Sequence, residues 1–252
     1  MEAARIVWVG RQEYKSLVDY REASVFLGYG EQMPDSGTER ELHRLADALL
    51  DVIKPRYLFV PVRLVQDCVK RPEAAGQGDP TVHIAADFGG QCLRLPGDAI
   101  HAHLGRAGLA VAACLTLGGQ VDAWIDKLQK ESMLDALLAD ALANAAVERL
   151  RIHLEQEARD VLGLDLGWLF GIGYEDFPLV LQPDFLRLAG AGEGIGLSVN
   201  TKGILIPLKS VTGFINVRDG AGNGEKHCNG RCGMCPRHEE CRFFRGSCSK
   251  NC

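Results

Sequence analysis

The spacing of apolar residues predicts several amphipathic helices. In DSGTERELHRLADALLDVIKP, apolar side chains recur every three or four residues, and Pro55 follows where a helix would end. A longer stripe with the same spacing starts after Ser132 and continues to about Asp160. Asp135 follows Ser132 by three residues, a variant of the capping box that marks a helix N-terminus. Asp19 is expected to cap a shorter helix in REASVFLGYG.

Shorter apolar runs predict strands between these helices. YLFVPVRLV and the uninterrupted run GLAVAACLTLG have the length and the β-branched residues of buried strands. TVHIAADFGGQCLRL predicts a hairpin around Gly89 and Gly90, and GIGLSVNTKGILIPLKSVTGFINV predicts three strands separated by a turn at residues 200–203 and by Pro207. Helices and hairpins follow one another without a regular strand–helix alternation, so the sequence predicts an α+β fold.

Composition and charge narrow the classes of protein. The chain has 252 residues, of which 46% are hydrophobic and 24% charged, enough for one large domain with an appendage. A net charge of -5 gives no basic surface for nucleic acid or anionic membranes. The N-terminus lacks a leader pattern, and the apolar run at residues 107–118 is too short to span a bilayer. We therefore predict a cytoplasmic protein with no nucleic-acid or membrane partner.

The C-terminal segment HCNGRCGMCPRHEECRFFRGSCSKNC holds most of the nine cysteines. It has too few large apolar residues to fold around a core of its own. Disulfides do not persist in a reducing cytoplasm, so clustered thiols there indicate metal or redox chemistry. The candidate metal ligands are Cys228, Cys232, Cys235, Cys241, Cys248 and Cys252.

The spacing of these cysteines leaves three states open. Thiolates bind iron–sulfur clusters or zinc, and the unequal gaps and the Cys-Pro pair at Cys235 favour a [4Fe-4S] cluster over zinc knuckles. A structural zinc ion is the first alternative, and disulfides or free thiols are the second. Cys232, Cys235 and Cys241 are the most strongly indicated ligands. The first three cysteines also match the radical S-adenosylmethionine spacing, but no barrel follows them.

Another unusual segment is GIGYEDFPLVLQPDF, at residues 171–185. It is compatible with a structured connection between two helices. It is also compatible with a binding loop, in which glycines admit a ligand and Tyr174 offers a stacking face. By contrast, GAGEGIG at residues 190–196 follows a helix and precedes a strand, the reverse of a dinucleotide-binding loop, and predicts a flexible turn.

The order of motifs resembles that of stand-alone proteins related to the activation domain of cobalamin-dependent methionine synthase. The most specific parts are Gly173 with Tyr174 and the stretch IGLSVNTKGILIPLKSVTGFI, and the cysteine-rich end is also shared with many members. Further segments carry the resemblance over most of the chain: REASVFLGYG, IKPRYLFVPVRL, LRLPGDAIHAHL, ACLTLGGQVD and VERLRIHLEQEA.

The resemblance implies an α+β domain with a bent antiparallel sheet and flanking helices over residues 1–218, followed by the metal-binding tail at residues 225–252. The implied function is the reductive reactivation of a corrinoid methyltransferase such as methionine synthase. An electron reduces Co(II), and S-adenosylmethionine methylates the resulting Co(I). The implied partners are the methyltransferase, which presents the corrinoid, and a low-potential electron donor.

The resemblance also implies ligand contacts. The family signature for S-adenosylmethionine is Arg-x-x-x-Gly-Tyr, whose last two residues fall on Gly173 and Tyr174, while Leu169 stands in the arginine position. Leucine cannot donate the paired hydrogen bonds with which arginine binds a carboxylate. Glu148 lies near the position of an acidic ligand contact in the family, and a solvated glutamate on a helix face is an equal alternative. No catalytic residue is assigned.

Two functions therefore remain open. One is a reactivation factor that binds S-adenosylmethionine and delivers an electron to the corrinoid. The other is an electron-transfer or zinc-stabilised interaction module that contacts the corrinoid protein and, with Leu169, no longer binds S-adenosylmethionine.

Overall fold

The computed structural model describes residues 4–30, 32, 34–66, 84–105 and 107–218. The six tail cysteines fall outside these ranges, and so does Cys68. The described strands are β1 (Arg5–Trp8), β2 (Arg56–Gln66), β3 (Ile84–Asp87), β4 (Cys92–Leu95), β5 (Leu109–Thr116), β6 (Leu166–Gly171), β7 (Ser198–Val199), β8 (Leu205–Ile206) and β9 (Ser210–Val217).

Seven of these strands form one antiparallel sheet. Its order is β4-β3-β2-β5-β9-β6, and β1 pairs with the first residues of β2. The centre is the pairing of β2 with β5, whose register runs from Arg56 opposite Thr116 to Arg63 opposite Leu109. β7 and β8 form a separate hairpin.

Both faces of this sheet are covered, which explains the uninterrupted apolar runs. Alternate residues point to opposite faces of a strand. In β2, Tyr57 and Phe59 enter one core, whereas Leu58, Val60 and Val62 enter the other. A strand buried on both sides has no polar face, so its sequence lacks the alternation of a half-exposed strand.

The helices divide between the two faces. α2, α3, α5 and α6 pack on the face that receives Tyr57, and α4, α7 and α8 pack on the other. Their bounds are α1 (Tyr14–Leu17), α2 (Tyr20–Phe26), α3 (Ser36–Val52), α4 (Asp98–Leu104), α5 (Gly119–Glu131), α6 (Met133–Leu162), α7 (Gln182–Ala189) and α8 (Ala191–Ile195).

Several local predictions are confirmed. Asp19 accepts hydrogen bonds from the main-chain N–H groups of Arg21 and Glu22 at the start of α2. Ser132 Oγ accepts from Asp135 N at 3.2 Å and caps α6. These caps satisfy N–H groups that the first turn of a helix leaves without partners. The hairpin of β3 and β4 and the strands β2 and β5 lie where the sequence predicted them.

Two local predictions are wrong. GAGEGIG, predicted to be a flexible turn, forms the short helix α8. Gly190, with a φ of 69°, ends the preceding helix α7, and Gly196, with a φ of 68°, ends α8. Cys92 and Cys114 lie in apolar, strand-like sequence, which favours buried free thiols, but Cys92 is half-buried and takes part in a disulfide. Cys114 is a buried free thiol, as expected, and burial raises its pKa. Within the described ranges, no helix is long and apolar enough to cross a membrane.

Candidate functional site

Strand β6 leads directly into a tight turn, residues 171–177, which we call the Tyr174 turn. Gly173 N donates to Phe177 O at 2.7 Å, and Phe177 N donates to Tyr174 O at 2.9 Å. Gly173 has a φ of 98°, a conformation that glycine adopts without steric cost. The turn is therefore a fixed structure, and the glycine of the Gly-Tyr pair is required by its backbone.

Asp176 anchors this turn to the neighbouring helix. Its carboxylate accepts hydrogen bonds from Asp98 N at 2.6 Å and Ala99 N at 3.2 Å, at the start of α4. Gly97 passes so close to Asp176 that a Cβ atom there would lie 2.7 Å from Asp176 Oδ1. The acidic side chain at 176 thus fixes the position of the turn.

Tyr174 lies over Gly171 with much of its surface open to solvent. A Cβ atom at Gly171 would overlap the Tyr174 ring, so the ring occupies space that only a glycine leaves. The Phe170 ring supports it edge-on, with centroids 6.2 Å apart. Tyr174 is 61% exposed. An exposed aromatic ring held in one place by its neighbours is a suitable stacking surface for a planar ligand.

Three charged side chains of α6 form a cluster beside β6, which we call the α6 charge cluster: Glu148, Arg151 and Glu155. Arg151 Nε donates to Glu148 Oε2 at 3.1 Å, and Arg151 Nη1 donates to Glu155 Oε1. Glu155 Oε1 also accepts from Leu169 N at 2.9 Å. Arg151 is 6% exposed and Glu155 2%, so their opposite charges compensate each other away from water.

The charge cluster and Tyr174 are close enough to interact. Partial desolvation raises the pKa of the Tyr174 phenol, the negative charge of Glu148 raises it further, and the positive charge of Arg151 lowers it. The stacking surface, a carboxylate and a guanidinium therefore share one region between α6 and the Tyr174 turn.

The side chain of Leu169 is buried at this site. It is 4% exposed and belongs to the apolar core that includes α6. At the position of the signature arginine, the chain therefore offers only the main-chain N–H group of Leu169, which donates a hydrogen bond to Glu155.

The structure brings together three residues predicted from the sequence, Gly173, Tyr174 and Glu148. Arg151 and Glu155 were not predicted from the sequence. The Glu-x-x-Arg spacing of residues 148 and 151 was the available signal, because residues three apart share a helix face. Within the described ranges, no group of three or more His, Cys, Asp or Glu residues could hold a metal ion. The predicted metal ligands at the C-terminus lie outside those ranges.

A strip of exposed apolar side chains continues from Tyr174, and we call it the apolar rim. Leu179 packs against Gly173 and Gly203, and the chain after Gly203 exposes every second side chain. Neighbouring apolar side chains exposed on a folded domain are typical of an interaction surface. The members of the rim are Leu179, Val180, Ile204, Ile206 and Leu208, which are 43%, 77%, 43%, 47% and 61% exposed.

Comparison with known proteins identifies the fold. No protein-family model matches the chain, and no curated protein matches it significantly. Among solved structures, the crystal structure of the MetH reactivation domain bound to AdoHcy matches with a TM-score of 0.59 at 12% sequence identity. The match covers 87% of this chain and 80% of that chain. The chain therefore has the fold of that domain, and the predicted α+β class with an antiparallel sheet is confirmed.

Proposed function

We propose that this protein binds S-adenosylmethionine and S-adenosylhomocysteine beside Tyr174 and takes part in reactivating a cobalamin-dependent methyltransferase of the methionine synthase type. The observation that carries the proposal is the exposed ring of Tyr174, which the turn holds within electrostatic range of Glu148 and Arg151, in a fold shared with an AdoHcy-bound domain. A planar adenine needs a stacking surface, and the amino-acid end of the ligand needs charged partners.

The residues of the site suit such a ligand. The free face of the Tyr174 ring can stack on the base. Glu148 lies on the open side of the charge cluster, with 31% of its side chain exposed, and can accept hydrogen bonds from the ligand ammonium. Methyl transfer from S-adenosylmethionine to the reduced cobalt of the partner breaks the S–CH₃ bond and leaves S-adenosylhomocysteine in this site.

Calorimetry on the purified full-length protein tests ligand binding. We expect saturable binding of both S-adenosylmethionine and S-adenosylhomocysteine at one site per chain, with a matching rise in the unfolding temperature. Absence of heat and of any thermal shift at millimolar concentrations of both compounds would exclude this part of the proposal.

The apolar rim is the surface we propose for the corrinoid-binding partner. It borders Tyr174, so a partner seated on it would place its cobalt near the ligand. Replacing either Val180 or Leu208 by aspartate should reduce binding to the partner by about tenfold or more, because a desolvated carboxylate would enter an apolar contact. A pull-down or surface-binding assay with a cobalamin-dependent methionine synthase measures this effect.

Val161 provides a matched control for the rim variants. It is an exposed apolar residue, 44% accessible, near the C-terminal end of α6. Val161→Asp should leave partner binding unchanged. Both rim variants should retain the wild-type affinity for S-adenosylhomocysteine, because the rim side chains lie outside the proposed ligand contacts. Equal losses of partner binding in Val161→Asp and in the rim variants would contradict the assignment of this surface.

For the C-terminal tail, we propose that Cys232, Cys235 and Cys241 with one further cysteine bind a [4Fe-4S] cluster, and a structural zinc ion is the alternative. The support is the sequence spacing and the softness of thiolate ligands. A bound cubane would supply low-potential electrons for the reduction of Co(II), received from a separate electron donor. Iron and acid-labile sulfide analysis with visible absorption on anaerobically purified protein distinguishes the two metals.

Leu169 supports a second candidate function, an interaction or electron-transfer module that contacts the corrinoid protein without binding S-adenosylmethionine. Its buried side chain offers no donor to a ligand carboxylate. This candidate predicts partner binding through the apolar rim together with no calorimetric response to either adenosyl ligand. The calorimetric titration therefore separates the two functions, whatever metal the tail carries.

A further inference from the structure

We propose that Arg151 replaces the arginine missing at position 169 and, together with Glu148, holds the amino-acid end of the ligand. The inference rests on the proposed function. The pair presents a guanidinium and a carboxylate joined by a 3.1 Å hydrogen bond, and the ligand carries an ammonium and a carboxylate on one carbon. Glu148 would accept from the ammonium, and Arg151 would donate to the carboxylate.

The guanidinium of Arg151 has N–H donors that its two glutamate partners do not use. Its Nε and Nη1 groups donate to Glu148 and Glu155, whereas Nη2 has no acceptor among the described residues. Nη2 is not fully buried, so solvent reaches this end of the guanidinium. A guanidinium carries five N–H donors, so a ligand carboxylate can bind without displacing either glutamate.

Arg151 also lies close to the backbone of residue 169. Leu169 N and Arg151 Nη1 both donate to the same oxygen, Glu155 Oε1. The guanidinium therefore lies next to the backbone of residue 169, on the α6 side of β6. The positive charge that the family signature places on the strand is provided here by the helix.

The other cations near this face are already engaged. Lys209 Nζ donates to Asp140 at 2.6 Å and to Asn144 at 2.7 Å. Arg159 donates to the main-chain carbonyls of Leu166 and Gly167. Arg149 points from α6 toward α2, where it pairs with Asp19 and Glu22. Arg151 is thus the best-placed cation for a ligand that touches Tyr174.

Calorimetry with two probes tests the inference on the full-length protein. S-adenosylhomocysteine has the amino-acid end, and 5′-methylthioadenosine is the same nucleoside thioether without it. Wild-type protein should bind S-adenosylhomocysteine at least about tenfold more tightly than methylthioadenosine. In the double variant Arg151→Gln/Glu155→Gln, this preference should fall severalfold, because only the Glu148 contact to the ammonium remains, while the affinity for methylthioadenosine stays unchanged. The double change removes one charge of each sign, so no unpaired charge is buried.

Two further variants keep the test decisive. Arg149→Gln, on the same helix but facing α2, should bind both probes as wild type does. Arg151→Lys keeps the charge but loses the fork of donors, and should reduce the preference partially. If wild type binds both probes equally, or if the double variant keeps the preference, the inference is wrong and the proposed function stands. If wild type binds neither probe, the proposed function itself fails.

Discussion

Gly213→Ala should unfold this protein at a markedly lower temperature. Gly213 pairs with Gly171 across β9 and β6, and a Cβ atom on it would overlap the carbonyl oxygen of Phe170. That oxygen belongs to the backbone of the neighbouring strand and cannot move away without breaking the ladder that carries the Tyr174 turn. We expect a loss of about 3 kcal/mol in unfolding free energy, or roughly 6–12 °C in melting temperature.

Gly192→Ala is the matched control for this substitution. A Cβ atom there would have Leu197 O at 3.5 Å as its nearest neighbour, an ordinary contact, and the residue lies in the helix α8. Its unfolding free energy should stay within about 0.5 kcal/mol of wild type. Thermal unfolding followed by circular dichroism measures both variants, and similar melting temperatures for the two would contradict the β6–β9 geometry.

His103→Phe should make the protein more resistant to acid. His103 is 6% exposed and lies against the rings of Trp168 and Phe170, with centroids 4.5 and 5.2 Å away. The carbonyls of Phe214 and Trp168 are near the imidazole, but neither ring nitrogen has a hydrogen-bond partner in the part of the chain that the structure describes. Burial lowers the pKa of His103 to about 4, and the nearby carbonyls only partly oppose this shift.

The sign of the pH effect follows from this lowered pKa. The unfolded chain binds a proton at His103 near pH 6.5, whereas the folded protein does so only near pH 4. Above pH 6.5 the imidazole is neutral and does not lower the free energy of unfolding. As the pH drops from 6.5 to 4, the unfolded chain binds a proton that the folded protein does not, so stability falls. The expected loss from this residue is about 3 kcal/mol at pH 4.

Urea unfolding at pH 7 and at pH 4 measures this contribution. The His103→Phe variant should lose less stability than wild type between the two pH values, by about 3 kcal/mol, because its ring has no proton to bind. His43 is exposed, so His43→Gln should show the wild-type pH dependence. An acid-induced loss in His103→Phe as large as that in wild type would show that the buried imidazole does not cause it.

The parts of the fold that were predictable from sequence are those with a local signal. Residues near each other in the chain determine the apolar stripe of α6 and its Ser132 cap. The same holds for the apolar sequence of β5. The strand β6 was missed, because LGWLFG is short, is buried on both faces and follows directly after a long helix. Its identity as a strand depends on pairing with β9, more than forty residues away in the sequence.

The candidate site was predictable only in part for the same reason. The resemblance identified Gly173, Tyr174 and Glu148, and the structure places them in one region. For Arg151 the only signal in the sequence was its Glu-x-x-Arg spacing from Glu148, because its proposed role depends on the packing of α6 against β6. The structural role of Asp176 in this loop could not be predicted either, because it depends on long-range hydrogen bonds to α4.

The central claim is that the region between Tyr174 and the α6 charge cluster binds an adenosyl ligand. NMR spectra of full-length protein with labelled aromatic rings, recorded during titration with S-adenosylhomocysteine, test it most directly. We predict saturable shifts of the Tyr174 and Phe170 ring resonances, and nuclear Overhauser contacts between Tyr174 and the adenine protons. Unchanged Tyr174 resonances at saturating ligand, or shifts confined to rings distant from this turn, would contradict the account.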